Sequence, residues 1–338
     1  MLISIQGLRA VAAWLVVIHH VMQIFYGFNG KDWFSVFFSR YGSIGVDIFF
    51  VISGFVIFLS TAGKDISCAR FFSNRLIRIA PAYWVYTLLT ALLIINFEGL
   101  IPFSLFEMGF LFKSLLFIPA LNPSGIGYYP VLTVGWTLNF EMAFYLIFAM
   151  ALFFSKGYRL PYILACMVIM QMGMHKLFPA GAFYNSSRVY EFFCGIVIAV
   201  VFQSGWLRKV GWLLASVLIF ISLNSIASAY GSQGLDMGDR LIYVSIPCAV
   251  IVAALVSQEK RLQHFEYFTR LGDWSYSTYL SHVIILSVAY RTMETWEVPP
   301  LISILTALVA IMAISYLSFT FVESKSSKLL KRQLSRGK

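Results

Sequence analysis

Residues 8–20 read LRAVAAWLVVIHH: one arginine, nine residues with nothing ionisable, then two histidines. The middle suits a helix in lipid, whereas the arginine and the imidazoles at its ends are costly there unless they face a protein interior or a watery cavity. At about 100° per residue, the separation of Arg9 and His20 comes to about 20° beyond three full turns, so both lie on one helical face, about 16 Å apart along the axis. His19 points about 80° away from Arg9.

The rest of the chain has the same character. Of 338 residues 59% are hydrophobic and only 12% charged, with 32 Phe, 18 Tyr and 8 Trp; a soluble domain is typically about 25% charged. Apolar runs recur in blocks of about 17 to 25 residues divided by short polar joints, the dimension of a bilayer crossing. We therefore expect an all-α integral membrane protein with about ten transmembrane helices. They fall near residues 5–26, 41–60, 79–97, 136–154, 160–177, 188–203, 210–226, 241–257, 275–291 and 300–322. One further apolar piece, PFSLFEMGFLFKSLLFIPA (102–120), contains Glu107, Lys113 and two prolines, and reads as an interfacial or re-entrant helix rather than a crossing. No Lys or Arg precedes the first apolar run and no small-residue cleavage site closes it, so the first run is expected to remain as a span. Cys68, Cys166, Cys194 and Cys248 have no paired spacing that would make a metal site or a disulfide framework; they read as small buried hydrophobes.

Counting Lys and Arg orients the spans. The joints 61–78, 155–159, 204–209 and 258–274 and the tail from 323 hold 17, the opposite joints three (Lys31, Arg40, Lys113), and five (Arg9, Lys176, Arg188, Arg240, Arg291) fall near or inside spans. The positive-inside rule then puts both termini in the cytoplasm. The net charge of +10 follows from topology and attraction to anionic lipid, and does not call for a nucleic acid partner.

With sides fixed, depth becomes readable. His20 and Asp47 lie six residues, and Glu141 five, inside the outer ends of the first, second and fourth spans, hence at a common depth of about 8 to 9 Å. Buried ion pairs that fix helix packing would account for Arg9, Asp47 or Glu141 singly. A histidine at one depth with two carboxylates instead suits general-base work on a hydroxyl. On the inner side, FFSNRLIRIAPAYW (71–84) puts Arg75 and Arg78 three apart on one helical face beside Lys64 and Arg70; such a cluster attracts phosphates, or serves only as a positive-inside anchor. Ser275, Tyr279 and His282 share a face of the ninth span, so His282 is either a second cavity histidine or a hydrogen-bonded structural one. Tyr145, four residues after Glu141, bonds to it, lines the acceptor path or packs in the core. Trp136, Tyr128, Tyr129 and Trp33 near the outer surface stack on sugar rings or form the interfacial aromatic belt.

Several of these stretches together resemble the membrane acyltransferase-3 family: LRAVAAWLVVIHH, GVDIFFVISGFVIF (45–58), NRLIRIAPAYW (74–84), WTLNFEMAFYL (136–146), EFFCGIVIA (191–199), LGDWSYSTYLSH (271–282) and FVES (321–324). They span essentially the whole chain in order. ISIQGLRAVAAW (3–14) and the GVDIFFVISGF run are most similar to the exopolysaccharide acetyltransferase branch. The resemblance implies a bacterial inner-membrane, multi-pass O-acyltransferase that takes an acyl group, usually acetyl, from cytoplasmic acyl-CoA and places it on a sugar hydroxyl at the periplasmic side. It implies that His20 is the essential histidine, that Arg9 is its motif arginine and that Arg75 and Arg78 are the paired arginines of the cytoplasmic motif. It also implies a single acyltransferase-3 domain over residues 1–338 without the SGNH hydrolase-like domain that some members append. The expected mechanism has Arg75 and Arg78 on the nucleotide phosphates, the pantetheine arm running past Arg9, and His20 as base, with Asp47 or Glu141 fixing its tautomer; an acetyl-histidine intermediate is the other route. No metal is expected. The rival classes are a secondary transporter, which also breaks helices around mid-depth charges, and a non-enzymatic partner in polysaccharide export.

Overall fold

The computed structural model describes residues 2–102, 104–177, 179–231, 236–264 and 269–336. Among the described residues the chain is helical throughout, with no strand. The helices are α1 (Ile3–Tyr26), α2 (Trp33–Tyr41), α3 (Ile44–Thr61), α4 (Cys68–Asn96), α5 (Met108–Leu115), α6 (Trp136–Ala151), α7 (Lys156–Leu177) and α8 (Val189–Gln203). They continue with α9 (Trp212–Gly231), α10 (Met237–Arg240), α11 (Ile246–Ser257), α12 (Glu259–Leu262), α13 (Thr269–Trp296), α14 (Pro300–Ser318) and α15 (Lys325–Arg336).

A helix stands at every place where the sequence predicts a span. Among the described residues seven helical stretches are long and apolar enough to cross a membrane: Ile3–Tyr26, Trp33–Thr61, Cys68–Asn96, Thr133–Ala151, Trp212–Tyr230, Met237–Ser257 and Pro300–Leu330. Helices α7, α8 and α13 fall outside that set, α8 because it has only 15 residues. The protein is thus a multi-pass membrane protein. Among the described residues the piece at 102–120 holds one helix, α5, whose eight residues are too few for a crossing.

The chain folds as two compact units, the first Met1–His19, Lys31–Ile66 and Lys156–Ser275, the second His20–Gly30, Ser67–Ser155 and Tyr276–Lys338. In the first, α3 and α8 touch backbone to backbone. A Cβ on Gly54 would lie 1.9 Å from the Phe192 carbonyl oxygen, and one on Gly195 2.0 Å from that of Val51. In lipid, where apolar burial gives helices little reason to associate, such close approach supplies the dispersion contacts that hold them. Around this seam Leu8 and Ala12 of α1, Ile48, Val51 and Phe55 of α3 and Val252 of α11 form the core. The first turn of α1 is capped by a distant carboxylate: Glu259 accepts from the backbone N–H groups of Ile3 and Ser4 at 2.7 and 2.9 Å, satisfying donors that a helix start leaves open.

In the second unit α5 is fixed to α4. The Tyr83 hydroxyl donates to the Ser114 carbonyl at 3.0 Å and Trp84 Nε1 to that of Leu115 at 2.8 Å, while the Tyr83 ring stacks on Phe117. Within α4, Pro81 has no N–H for the carbonyl of Ile77, four residues earlier. Ser327 of α15 stands 3.5 Å from that oxygen, one way in which a proline is tolerated in a spanning helix, and Tyr276 donates to the Ile79 carbonyl at 2.8 Å.

Candidate functional site

Two histidines meet in the second unit. His282 Nε2 lies 3.2 Å from His20 Nδ1, with the rings edge to face and their centroids 4.8 Å apart. His282 is wholly buried, and its Nδ1 stands 3.2 Å from the carbonyl oxygen of Thr278, one turn back on α13. Behind it, 5.8 Å between ring centroids, is Tyr279. The Tyr279 hydroxyl donates to the Val134 carbonyl at 2.9 Å and lies 3.0 Å from Thr137 Oγ1. The turn Thr133–Gly135 and the first turn of α6 therefore anchor Tyr279, Tyr279 walls one side of His282, and His282 meets His20.

Hydrogen-bond inventory sets the tautomers. A carbonyl oxygen only accepts, so Nδ1 of neutral His282 carries the proton and Nε2 its lone pair. With that tautomer, His20 Nδ1–H is the matching donor to His282 Nε2.

Farther along the same unit, Arg75 lies over the rings of Phe71 and Tyr145, 5.3 and 6.0 Å from their centroids. Tyr145 is buried and donates to Glu141, and that carboxylate is within electrostatic reach of Arg75. Arg78, one turn on, is exposed. Trp136 packs edge to face on Phe140 and, at 6.4 Å between centroids, on Tyr129. Ser277 of α13 donates to Glu323, in the π-helical turn Phe319–Ser324 that ends α14, so the LGDWSYSTYLSH and FVES stretches meet side chain to side chain. The sequence reading singled out neither residue.

Asp47 belongs to the first unit. Fully buried, it is paired with Arg240 and lies 3.6 Å from Arg188 Nε. Arg240 also lies 3.7 Å from buried Glu191, which accepts from Ser245 at 2.6 Å. Ser245 closes a second π-helical turn, Leu241–Ser245, and such turns are local rearrangements of helical pitch that re-aim side chains. Arg188, Glu191 and Arg240 were missed as a set. The available signal was the spacing of Arg188 and Glu191, three apart on one helical face. Also in the first unit, Arg9 donates to Gln6 at 3.2 Å, Gln6 donates in turn to Asp273, and Ser275 donates to the Gly272 carbonyl at 2.7 Å. His19 Nδ1 stands 3.0 Å from the Phe38 carbonyl, a bond within its own unit. Trp33 is exposed and stacks on Phe37. Of the predicted residues, then, His20 is joined to His282, Tyr145 joins Glu141 to Arg75, and Asp47 is joined to two arginines.

Seven apolar helices long enough to cross a membrane, among the described residues, define the class as a multi-pass membrane protein, and one of its units holds a close histidine pair. The sequence places it more closely: the profile of the acyltransferase domain family matches residues 2–320, and the chain belongs to that family. It is 31% identical over 255 residues to the exopolysaccharide production protein ExoZ of Rhizobium meliloti (strain 1021), covering 74% of this chain and 78% of that protein. It is 27% identical to the acyltransferase MdmB of Streptomyces mycarofaciens, over 98% of this chain and 92% of the other. With the peptidoglycan O-acetyltransferase OatA of Listeria monocytogenes serovar 1/2a (strain ATCC BAA-679 / EGD-e) it shares 26% identity over 96% of its own length, spanning 56% of that relative. No solved structure matches it.

Proposed function

We propose that the protein is an inner-membrane O-acyltransferase that moves an acyl group, acetyl in our reading, from cytoplasmic acyl-CoA to a hydroxyl of a surface or exported polysaccharide. The observation that carries this reading is the His20–His282 pair, its ring nitrogens 3.2 Å apart. In the mechanism His20 Nε2 takes the proton of the acceptor hydroxyl as its oxygen attacks the thioester carbonyl. Collapse of the tetrahedral adduct breaks the C–S bond, and the departing CoA thiolate takes the proton back from Nε2, so the enzyme ends as it began. Ten crossings with both termini in the cytoplasm would put Arg75 and Arg78 on the donor's side. Exposed Arg78 and ring-backed Arg75 suit the CoA phosphates, since guanidinium groups bind phosphate through paired N–H donors. Glu141 acts here through Tyr145, holding the aromatic platform on which Arg75 rests. Arg9 joins the donor set through the family resemblance, and Asp47 serves the first unit's ion pairs.

Purified full-length protein in lipid nanodiscs, given labelled acetyl-CoA and no ion gradient, is expected to release CoA and to acetylate glycan extracted from the source cells. Glycan acetylation that appears only when a gradient is imposed would overturn the reading in favour of transport. Label that stays on the protein when acceptor is withheld would mark the acetyl-histidine route. Mass spectrometry of surface glycans from cells carrying His20→Ala should show O-acylation lost at normal protein levels, and unchanged O-acylation sinks the assignment of His20.

A further inference from the structure

We infer that His282 is a positioning residue that fixes the tautomer of His20, so that Nε2 of His20 rather than Nδ1 receives the acceptor's proton. The inference rests on the acyltransferase reading and adds to it the group that orients the base. Were the tautomers reversed, His282 Nδ1 would present its lone pair to the lone pairs of the Thr278 oxygen only 3.2 Å away, a repulsion at a side chain that is wholly buried. His282 has little freedom to turn away from this arrangement: it is wholly buried and flanked by Tyr279, itself anchored on Val134 and Thr137. The Thr278 oxygen, a helix carbonyl with two lone pairs, accepts both the His282 backbone N–H and its ring N–H. A chain of donors thus runs in one direction, from His20 Nδ1 to His282 Nε2 and from His282 Nδ1 to a carbonyl that cannot switch role. When His20 gains a proton at Nε2, its Nδ1–H still has an acceptor, so the imidazolium forms in place without a side-chain rotation. This is the part that a carboxylate plays in hydrolase triads, filled here by a neutral ring whose burial needs no counter-charge.

The test compares His282→Gln with His282→Leu in the full chain in nanodiscs, following thiol release from acetyl-CoA. The Gln side chain carries its amide oxygen to about where Nε2 stands and can accept from His20 Nδ1, whereas Leu fills the space with no acceptor. The expected result is a loss of about 10²-fold in kcat for His282→Leu with the KM for acetyl-CoA unchanged, at the lower end of what a positioned base contributes, and recovery of most of it in His282→Gln. Equal impairment of the two variants, wild-type turnover in His282→Leu, or a raised KM at constant kcat would overturn the inference. If His282→Leu does not fold, His282→Asn replaces it: its shorter amide mimics Nδ1 and cannot reach His20, so it should stay as slow as His282→Gln is fast. His20→Ala run alongside separates the two claims. An inactive His20→Ala with a fully active His282→Leu removes the positioning role alone, while an active His20→Ala removes the acyltransferase mechanism on which it stands.

Discussion

The Asp47 cluster of the first unit and the His20 pair of the second bury polar groups in opposite ways. The first collects two carboxylates and two guanidinium groups, Asp47, Glu191, Arg188 and Arg240, so every charge has an opposite within ion-pair distance and the set is neutral as a whole. The second joins imidazoles, hydroxyls and a backbone carbonyl around His20 and His282, groups that are polar without being charged. A closed set of ion pairs holds helices together, because breaking it leaves a charge uncompensated in a medium that cannot solvate it. It is poorly suited to turnover for the same reason, since its charges are already spoken for. A neutral hydrogen-bonded pair is cheaper to bury and can still take up a proton and pass it on. Depth and residue type alone do not tell these two arrangements apart.

The contrast can be broken at four places, in descending order of expected effect. His20→Ala should lower acetyl transfer by about 10³-fold, the contribution of a positioned base, with the thermal unfolding midpoint in detergent unchanged; a lowered midpoint would move His20 into the structural class. Arg240→Met should do the reverse. It leaves Asp47 and Glu191 buried against a single arginine and is expected to destabilise the first unit by about 3 to 5 kcal/mol, read as a lower midpoint and poorer yield. Combining it with Glu191→Leu restores charge balance and should recover part of that loss, which a purely steric role for Arg240 would not allow.

Gly54→Val comes next. Any side chain there must displace the Phe192 carbonyl, and a cost of about 1 to 3 kcal/mol is expected for overpacking a seam of this kind, measured by the same thermal assay. The smallest effect is expected for Tyr279→Phe. Losing the bond to the Val134 carbonyl is worth about 1 kcal/mol, or about a fivefold fall in kcat if that energy holds His282 in place. No change in kcat would leave Tyr279 as packing alone.

Much of the helix plan was legible because lipid imposes a strong rule on sequence: a spanning segment must be apolar over about 20 residues and must satisfy its own backbone. That rule located a helix at each predicted span and marked 102–120 as too interrupted to cross, where α5 is docked by Tyr83 and Trp84. Helical phase placed Arg9 and His20 on one face of what is a single helix, α1. The motif residues that fix the family were likewise readable in order along the chain. The partners were not. His20 and His282 are 262 residues apart and Asp47 and Arg240 193, and phase names the face of a helix without naming the neighbour that packs against it. The π-helical turns that bring Glu323 to Ser277 and Ser245 to Glu191 have no sequence signature, because a single wide turn depends on what the displaced side chain finds to bond with.

By itself, then, the sequence determined that this is a membrane-spanning acyltransferase family protein and which few ionisable groups its helices carry, since in lipid each such group must have a reason to be there. Tertiary structure alone decided which groups neutralise one another and which share a proton. That choice rests on distances of about 3 Å between side chains from different helices, over which a hydrogen bond or an ion pair either forms or does not.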